Sequence, residues 1–481
     1  MSKLIVKYKY WFILAAVFIV LRLPSLFEPY WYGDEGIYLT LGQAIRKGLV
    51  LYSQIHDNKP PSLYYLAAIA KTVFGFRFLL TIVMIPTVYY FYQLVTKFFN
   101  QKISQIITLI FVVLTSIPLL EGNIANAEIF MLLPTIAAFL IFLTAKKNIN
   151  YLFSGLLLGL AFTIKVPVFI EFGFLFVWLF LTNLKDIKNH FWSLFFKLFT
   201  FGIGFIIPTI IFGIYFAAKG AFLLFLNSAL LQNFSYLSSW ATGTQTAPAS
   251  SGGLVVRLIV LLIFWLLIFF LKLRKIIDSK LSFILFWFGA TIFGALLSTR
   301  PYPHYLIQVI PPFCLLLPTI LNFKNFRNQI LIFLSFFSLF LIIKKYDFYT
   351  YPVFSYYKSF YLSASKANFY KFFGQDVDSI YQISSHINKN SDFQDRIFIW
   401  GDQAYIYALS DRLPPGRYTV AYHIVDFNGY SETISDIKTH LPKFIVYSPM
   451  SNRPFDQLDE FISRYYYLDT TINSNLIFKL R

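Results

Sequence analysis

The chain has 481 residues, of which 57% are hydrophobic, 21% aromatic and only 13% charged. That charged share is about half of the share in a soluble globular protein, so composition excludes a soluble enzyme and indicates a membrane protein. The formal net charge of +18 comes from basic residues in short groups between apolar segments, without the basic stripe of a nucleic-acid-binding protein. The single cysteine, Cys314, excludes an intrachain disulfide.

The first apolar run follows three lysines at the N-terminus and has no obvious small-residue cleavage site, which favours a retained helix over a removed signal peptide. Apolar runs along the chain predict about eleven transmembrane helices. These runs cover residues 10–27, 78–96, 104–120, 128–145, 150–165, 167–183, 193–217, 254–271, 281–298, 304–322 and 328–343.

The distribution of lysine and arginine predicts the topology. With a cytoplasmic N-terminus, most short basic loops fall on the cytoplasmic side, as the positive-inside rule requires; Lys344 and Lys345 are the exception. This count requires the segment 61–75, too short to cross, to lie along the outer face. The unusual polar residues of the membrane part then gather on the outer side, together with everything after about 345.

The C-terminal segment, 345–481, differs in composition. It is richer in acidic residues and contains strand-like runs at 396–400 and 443–447, which predict a small soluble α/β domain. We therefore predict two domains: a transmembrane domain, 1–344, with an outer-face loop at 28–77, and an extracytoplasmic domain, 345–481. The stretch 238–253, rich in Ser, Thr, Ala and Gly, predicts a flexible outer loop.

Two polar clusters follow the first helix. Asp34 and Glu35 are either part of a solvated loop that caps a helix at 36–47, or contain a general base near a low-dielectric boundary. Lys59 precedes a Pro-Pro pair that opens an apolar helix; its ammonium either reaches lipid headgroups or holds a lipid phosphate. Asp57 lies two residues earlier.

Further polar residues interrupt later apolar runs. Glu128 opens one of them, close to Glu121, and a buried carboxylate at such a place usually has a function or a partner. Lys165 lies between two apolar runs and is either a loop lysine or part of a site. Arg300 and His304 lie in a proline-rich turn before a helix, where guanidinium and backbone donors favour an anion. The sequence has no P-loop, nucleophile elbow or HExxH pair.

In this order, these motifs resemble the C-type membrane glycosyltransferases (GT-C). The nearest branch resembles bacterial relatives of the protein O-mannosyltransferases and of the aminoarabinose transferase that modifies lipid A. The resemblance covers about residues 10–345. It rests on Asp34-Glu35, on the string from Asp57 to Tyr65 with its Lys-Pro-Pro, on Glu128, on Thr163-Ile164-Lys165, and on the string from Arg300 to Tyr305.

The resemblance implies an all-α polytopic enzyme that transfers a sugar from a polyprenyl-phosphate carrier to a lipid, glycan or protein acceptor on the outer face of the membrane. It implies that Asp34 is the general base and that Glu35 and Glu128 orient the acceptor or support the base. Lys59 and Arg300 would hold the lipid phosphate, and His304 and Tyr305 would line the same pocket, with Asp57 and Lys165 in support. The Lys-, Asn-, Ile- and Phe-rich usage fits an AT-rich bacterial genome, and the resemblance then implies the cytoplasmic membrane of a bacterium.

One departure from the family pattern is Asn58, which stands where relatives often have an acidic residue before Lys-Pro-Pro. We expect no cofactor and no catalytic metal, although the wider superfamily leaves a divalent cation open. The alternative hypothesis is a transporter of lipid-linked saccharides without chemistry. Against it, we see no sequence repeat, and the polar residues cluster at one surface and not at the midplane. A third reading is a scaffold that docks partners through 345–481.

Overall fold

The structure is a computed structural model. It describes residues 2–481 except 185–186, 233–251, 298–299, most of 321–350, 364, 375 and 449–452. The chain forms two compact units that each combine separate stretches of sequence. Unit 1 contains 1–25, 80–212 and 231–354, and unit 2 contains 26–79, 213–230 and 355–481.

The first part of the chain is helical. Its α-helices are α1 Ser2–Arg22, α2 Gly33–Arg46, α3 Ser62–Ala70, α4 Val73–Val95, α5 Gln101–Leu114, α6 Ala127–Phe130, α7 Leu132–Leu143, α8 Asn148–Phe162, α9 Val168–Asn183, α10 Ile187–Ala218, α11 Phe222–Phe225, α12 Gly252–Leu273, α13 Ser279–Ala295 and α14 Ile310–Ile320. Short 3-10 helices cover Leu23–Phe27, Pro118–Leu120 and Pro303–Val309, and a π-helical turn covers Leu226–Leu231.

The apolar helices confirm the predicted helical class. Tyr8–Phe27, Val73–Val95, His190–Ala218 and Gly253–Leu273 are long and apolar enough to cross a membrane, and shorter apolar helices accompany them. The number of spans stays a prediction. The predicted helix 328–343 and the loop 238–253 lie largely outside the described residues. Helix α3 has nine residues, too few to cross about 30 Å of hydrocarbon.

Close helix packing builds the core of unit 1. Helix α8 approaches α10 at Gly155 and Gly159, where a Cβ would overlap the backbone of α10; small residues allow such contact in membrane proteins. The hydroxyl of Ser154 donates to the carbonyl of Ala138 on α7 at 2.9 Å. Phe139 stacks on Trp287 of α13 with ring centroids 4.1 Å apart.

Unit 2 contains a four-stranded mixed sheet, which confirms the predicted α/β character of the C-terminal segment. The strands are β1 Ile397–Trp400, β2 Phe444–Tyr447, β3 Tyr466–Ile472 and β4 Asn475–Leu480, in the order β1-β2-β4-β3. Strands β1 and β2 are parallel and the other neighbours antiparallel. The C-terminal helices are α15 Val353–Tyr361, α16 Lys366–Lys371, α17 Asp376–Asn390, α18 Tyr405–Ser410, α19 Ala421–Asp426, α20 Tyr430–Thr439 and α21 Asp456–Tyr465.

Helices cover both faces of the sheet at β1 and β2. Side chains of α19, α20 and α21 pack on one face around Phe398 and Trp400, and side chains of α17 and α18 pack on the other around Ile397 and Ile399. The alternation along β1 follows from the two-residue period of a strand. Strands β1 and β2 therefore read as apolar throughout, as strands buried on both faces do, whereas the edge strand β3 is partly exposed.

Helix α2 packs on α18 within unit 2. The hydroxyl of Thr40 donates to the carbonyl of Ala404 at 2.8 Å, and Gly36 lies so close to Tyr405 that a Cβ would come within 2.9 Å of its backbone nitrogen. Unit 2 thus joins the 26–79 segment to the C-terminal α/β segment. The domain boundary predicted at 344/345 stays a prediction.

Candidate active site

Asp34 lies in the first turn of α2. Asp34 and Glu35 lie in the first turn of this helix and Arg46 in its last turn, an order of charges that the helix dipole favours. Oδ2 of Asp34 accepts a hydrogen bond of 2.9 Å from the hydroxyl of Tyr38, one turn later. The Asp34 side chain is 29% exposed, so its carboxylate is both oriented and open to solvent.

Lys59 lies beside Asp34. Its Nζ is 3.7 Å from Oδ2 of Asp34, 3.9 Å from Oδ2 of Asp57 and 5.0 Å from the centre of the Tyr38 ring. Its carbonyl accepts a hydrogen bond of 2.8 Å from Tyr52. Since the side chain is only 16% exposed, the ammonium is held at the edge of a mostly buried group.

Asp57 is the buried member of this group. Its side chain is 1% exposed, and its oxygens accept from the hydroxyl of Tyr64 at 2.8 Å and from the backbone N–H of Asn58 at 2.7 Å. Burial alone would raise the pKa of Asp57, but Lys59, His423 and these two hydrogen bonds outweigh it and lower the pKa. Asp57 is therefore an anion at neutral pH.

Glu35 has a different environment from Asp34. Nε and Nη2 of Arg77 donate to its two oxygens at 2.8 and 2.5 Å, and Nη1 of Arg77 lies 2.6 Å from Glu28. Glu28 also accepts from the hydroxyl of Tyr356 at 2.5 Å and from the indole of Trp31 at 2.8 Å. The carboxylates of Glu35 and Glu28 and the guanidinium are fully buried. Glu35 is thus held in a buried ion-pair cluster with Arg77 and Glu28, and its expected role, to orient the acceptor or to support the base, stays a prediction.

A second group lies in unit 1. Glu128, in α6, is 2.7 Å from Nζ of Lys165, which follows the C-terminus of α8. His304 comes from the Pro303–Val309 3-10 helix, with Nε2 4.0 Å from Glu128 and Nδ1 2.5 Å from Glu121. Nζ of Lys165 also lies 5.0 Å from the centre of the Tyr305 ring. Glu128, Lys165, His304 and Tyr305, four residues predicted from three separate motifs, are thus brought together.

Glu121 completes this second group. Its backbone is left-handed, with φ of 58°, and the next residue, Gly122, lies where a Cβ would come within 2.6 Å of the Thr115 backbone. The buried guanidinium of Arg22 donates to the carbonyls of Thr115 and Gly122 at 2.8 and 3.0 Å. This anchored turn aims the carboxylate of Glu121 at His304.

Arg300 is half-buried and lies in the irregular segment that leads into the Pro303–Val309 helix. Tyr302 follows it and stacks on His304, with ring centroids 5.6 Å apart. The predicted site residues therefore fall into two groups: Asp34, Glu35, Asp57 and Lys59 in unit 2, and Glu128, Lys165, Arg300, His304 and Tyr305 in unit 1.

Sequence reasoning missed several members of these groups. Arg77 is a lone charge inside an apolar run, and that pattern could have predicted a buried partner for Glu35. His423, whose Nε2 lies 3.5 Å from Oδ1 of Asp57, carries no local signal because it follows its partner by hundreds of residues.

Within the described residues, no group of three or more His, Cys, Asp or Glu side chains is arranged to hold a metal ion. The expectation of a reaction without a catalytic metal stays a prediction.

No family model matches the chain, and no curated protein matches it at a significant level. Solved structures do match. The crystal structure of ArnT from Cupriavidus metallidurans bound to undecaprenyl phosphate has a TM-score of 0.58 with 12% sequence identity over 98% of each chain. The same protein in the apo state gives a TM-score of 0.59 with 11% identity over 98% of each chain.

This chain has the GT-C fold. The resemblance stated from the motifs is confirmed at the level of fold. The apo oligosaccharyltransferase of Archaeoglobus fulgidus also matches, with a TM-score of 0.48 and 13% identity over 92% of this chain and 69% of that one, a likeness too low to carry an argument. The match to ArnT covers 98% of this chain, so it includes most of the C-terminal segment as well as the helical part.

Proposed function

We propose that this protein is a membrane glycosyltransferase that moves a sugar from a polyprenyl-phosphate carrier to an acceptor hydroxyl. The observation that carries the proposal is the pair formed by Asp34 and Lys59: a partly exposed carboxylate, oriented by Tyr38, lies 3.7 Å from a held ammonium. One group suits the activation of a nucleophile and the other suits a departing phosphate, within a GT-C fold.

In this proposal, Asp34 takes the proton of the acceptor hydroxyl as the acceptor oxygen bonds to the anomeric carbon. The bond between that carbon and the carrier phosphate breaks with inversion, and the electron pair leaves on the phosphate. Lys59 stabilises the negative charge that grows there. Asp57, anionic and buried, keeps the ammonium beside Asp34. The products are the glycosylated acceptor and the polyprenyl phosphate.

The second group has proposed roles as well. We assign the lipid phosphate to Arg300, His304 and Tyr305, since guanidinium, imidazole and phenol donors all suit phosphate oxygens. Glu128, paired with Lys165 at 2.7 Å, is assigned to the acceptor, and the pair with Lys165 keeps its carboxylate oriented.

The setting of the reaction is also proposed. The ArnT structure contains undecaprenyl phosphate, which supports a long polyprenyl phosphate as the carrier here. We place the protein in the cytoplasmic membrane of a bacterium, with its N-terminus in the cytoplasm and with Asp34, Lys59 and the C-terminal α/β segment outside. The acceptor is a lipid, a glycan or a protein.

The test measures transfer of labelled sugar from a panel of polyprenyl-phosphate sugars by purified protein in lipid nanodiscs. Asp34→Asn should reduce kcat by about 10²–10⁴-fold, the range typical for loss of a general base. The matched control is Asp411→Asn, which removes the carboxylate of the exposed Lys47–Asp411 pair of the same unit and should leave kcat unchanged. Asn tolerates the left-handed backbone of Asp411, with φ of 50°.

Equal activity of the wild type and Asp34→Asn would reject Asp34 as the base. If no donor is consumed, the same labelled lipids are tested in vesicles that contain the protein. Movement of the lipid-linked sugar between the leaflets would then favour the transporter hypothesis over the transferase.

A further inference from the structure

The loop that carries Asp57 and Lys59 is bound by a stretch of the C-terminal segment, 417–427. The backbone N–H of His56 donates to the carbonyl of Arg417 at 2.9 Å. The His56 ring meets Tyr418, His423 and Phe427 edge-on, with centroids 5.5, 5.8 and 5.0 Å apart. One residue on, Oδ1 of Asp57 faces Nε2 of His423 at 3.5 Å. All of these residues belong to unit 2.

The sheet delivers His423 to this position. Strand β1 ends at Trp400, and the next carbonyl, that of Gly401, accepts from the N–H of Ala421 at 2.9 Å. Oδ1 of Asp402 accepts from the N–H of Tyr422 at 3.2 Å. These two bonds fix the start of α19 at the carboxyl end of a parallel strand, the edge where open α/β sheets place functional groups. His423 follows in the first turn of α19.

The surroundings of His423 define which nitrogen carries its proton. The side chain is 3% exposed, and Nδ1 is buried without a hydrogen-bond partner among the described residues, whereas Nε2 faces a carboxylate. A buried N–H without a partner is costly, so the proton belongs on Nε2, where it points at Asp57. Burial lowers the pKa of His423, which makes it a neutral donor and not a second cation beside Lys59.

We propose that His423 is a positioning residue for the transfer reaction: its Nε2–H orients Asp57, and Asp57 in turn holds the ammonium of Lys59 beside Asp34. The C-terminal α/β segment is then part of the donor-binding machinery and not an appended domain. The kinetic consequence rests on the proposed transferase function, whereas the effect on Lys59 does not.

The experiment compares two substitutions at one position in nanodiscs. His423→Phe keeps a planar ring and removes the donor, whereas His423→Gln retains an N–H near the position of Nε2. The control is His386→Phe, which removes a histidine that pairs with Asp469 of β3 at 2.6 Å in the same unit. Thermal unfolding of every variant is measured first.

The first readout needs no substrate. An amine-reactive ester labels Lys59 and the reference Lys47, and mass spectrometry gives the ratio of the two. His423→Phe should raise this ratio several-fold, less than for loss of a short charged hydrogen bond, because the Nε2–Oδ1 contact is 3.5 Å long. His423→Gln and His386→Phe should remain near the wild-type ratio. If His423→Phe does not fold, Asp57→Asn should give the same increase in the Lys59 to Lys47 labelling ratio. If both variants fold, the double variant His423→Phe with Asp57→Asn should have the same labelling ratio as Asp57→Asn alone.

The second readout is transfer kinetics. His423→Phe should lower kcat/KM for the polyprenyl-phosphate sugar several-fold, with most activity restored in His423→Gln. Equal loss in both variants at matched thermal stability would overturn the proposal, because a merely structural histidine is not rescued by a donor. Wild-type labelling in His423→Phe, or in Asp57→Asn, would also overturn it. A wild-type protein that transfers no sugar would reject the function, while the labelling ratio would still decide the role of His423.

Discussion

Arg77 allows a quantitative test of the buried ion-pair cluster that it forms with Glu28 and Glu35. Its guanidinium is the only cation shown between the buried carboxylates of Glu28 and Glu35 in the described contacts, at 2.6 and 2.5 Å. Arg77→Met keeps an unbranched apolar stem and leaves two buried carboxylates without this partner. Removing one member of a buried ion pair costs about 3–5 kcal/mol. Because Arg77→Met removes the partner of two carboxylates, we expect the free energy of unfolding to fall by an amount at or above the upper end of that range.

The measurement is the free energy of unfolding in mixed detergent micelles, followed by tryptophan fluorescence. The matched variant replaces all three side chains, Arg77→Met with Glu28→Gln and Glu35→Gln. It should recover most of the loss, because a buried cluster without charge has no unpaired ions. If Arg77→Met is as stable as the wild type, or if the triple variant is no better than Arg77→Met, this account of the cluster is wrong.

Two further predictions concern Gly36 and His56, which also belong to unit 2. Gly36→Ala should destabilise the protein by about 1–3 kcal/mol through overpacking, because its Cβ would lie 2.9 Å from the backbone of Tyr405, whereas Gly33→Ala meets nothing within 4 Å; thermal unfolding of the two variants separates them. Burial lowers the pKa of His56 from 6.5 to about 3. Between these two pH values His56 is protonated in the unfolded state but not in the folded state, so the free energy of unfolding should fall as the pH drops from 6.5 towards 3. The limiting slope is about 1.4 kcal/mol per pH unit. Urea unfolding measured at several pH values gives this slope, and His56→Phe should make it smaller. The same slope in His56→Phe and the wild type would contradict a buried neutral His56.

Local pattern was sufficient for much of the fold. Apolar runs predicted the helices because lipid demands about twenty apolar residues per crossing, and the runs at 396–400 and 443–447 became β1 and β2. The Asp-Glu and Lys-Pro-Pro motifs predicted residues that the structure brings together, since Asp34 and Lys59 are near in sequence and share one unit.

Long-range pairs could not be predicted in the same way. Tyr356 meets Glu28 across 328 residues, and His423 meets Asp57 at a similar remove. Neither tyrosine nor histidine differs in its local pattern from many others in the chain. Their partners are set by the packing of α2 and the 56–59 loop on the C-terminal segment, which only the folded arrangement displays.

The strand order has a consequence for the timing of synthesis. Strand β4 is the last of the four strands along the chain, yet it lies between β2 and β3. Until the residues from Asn475 onwards are synthesised, β3 therefore has no strand to pair with in this sheet. Helices α17 and α18, which cover one face of that sheet, gain their full support only afterwards, and α2 packs on α18. Because α2 carries Asp34, we expect the packing around the proposed base to be complete only once β4 has joined the sheet.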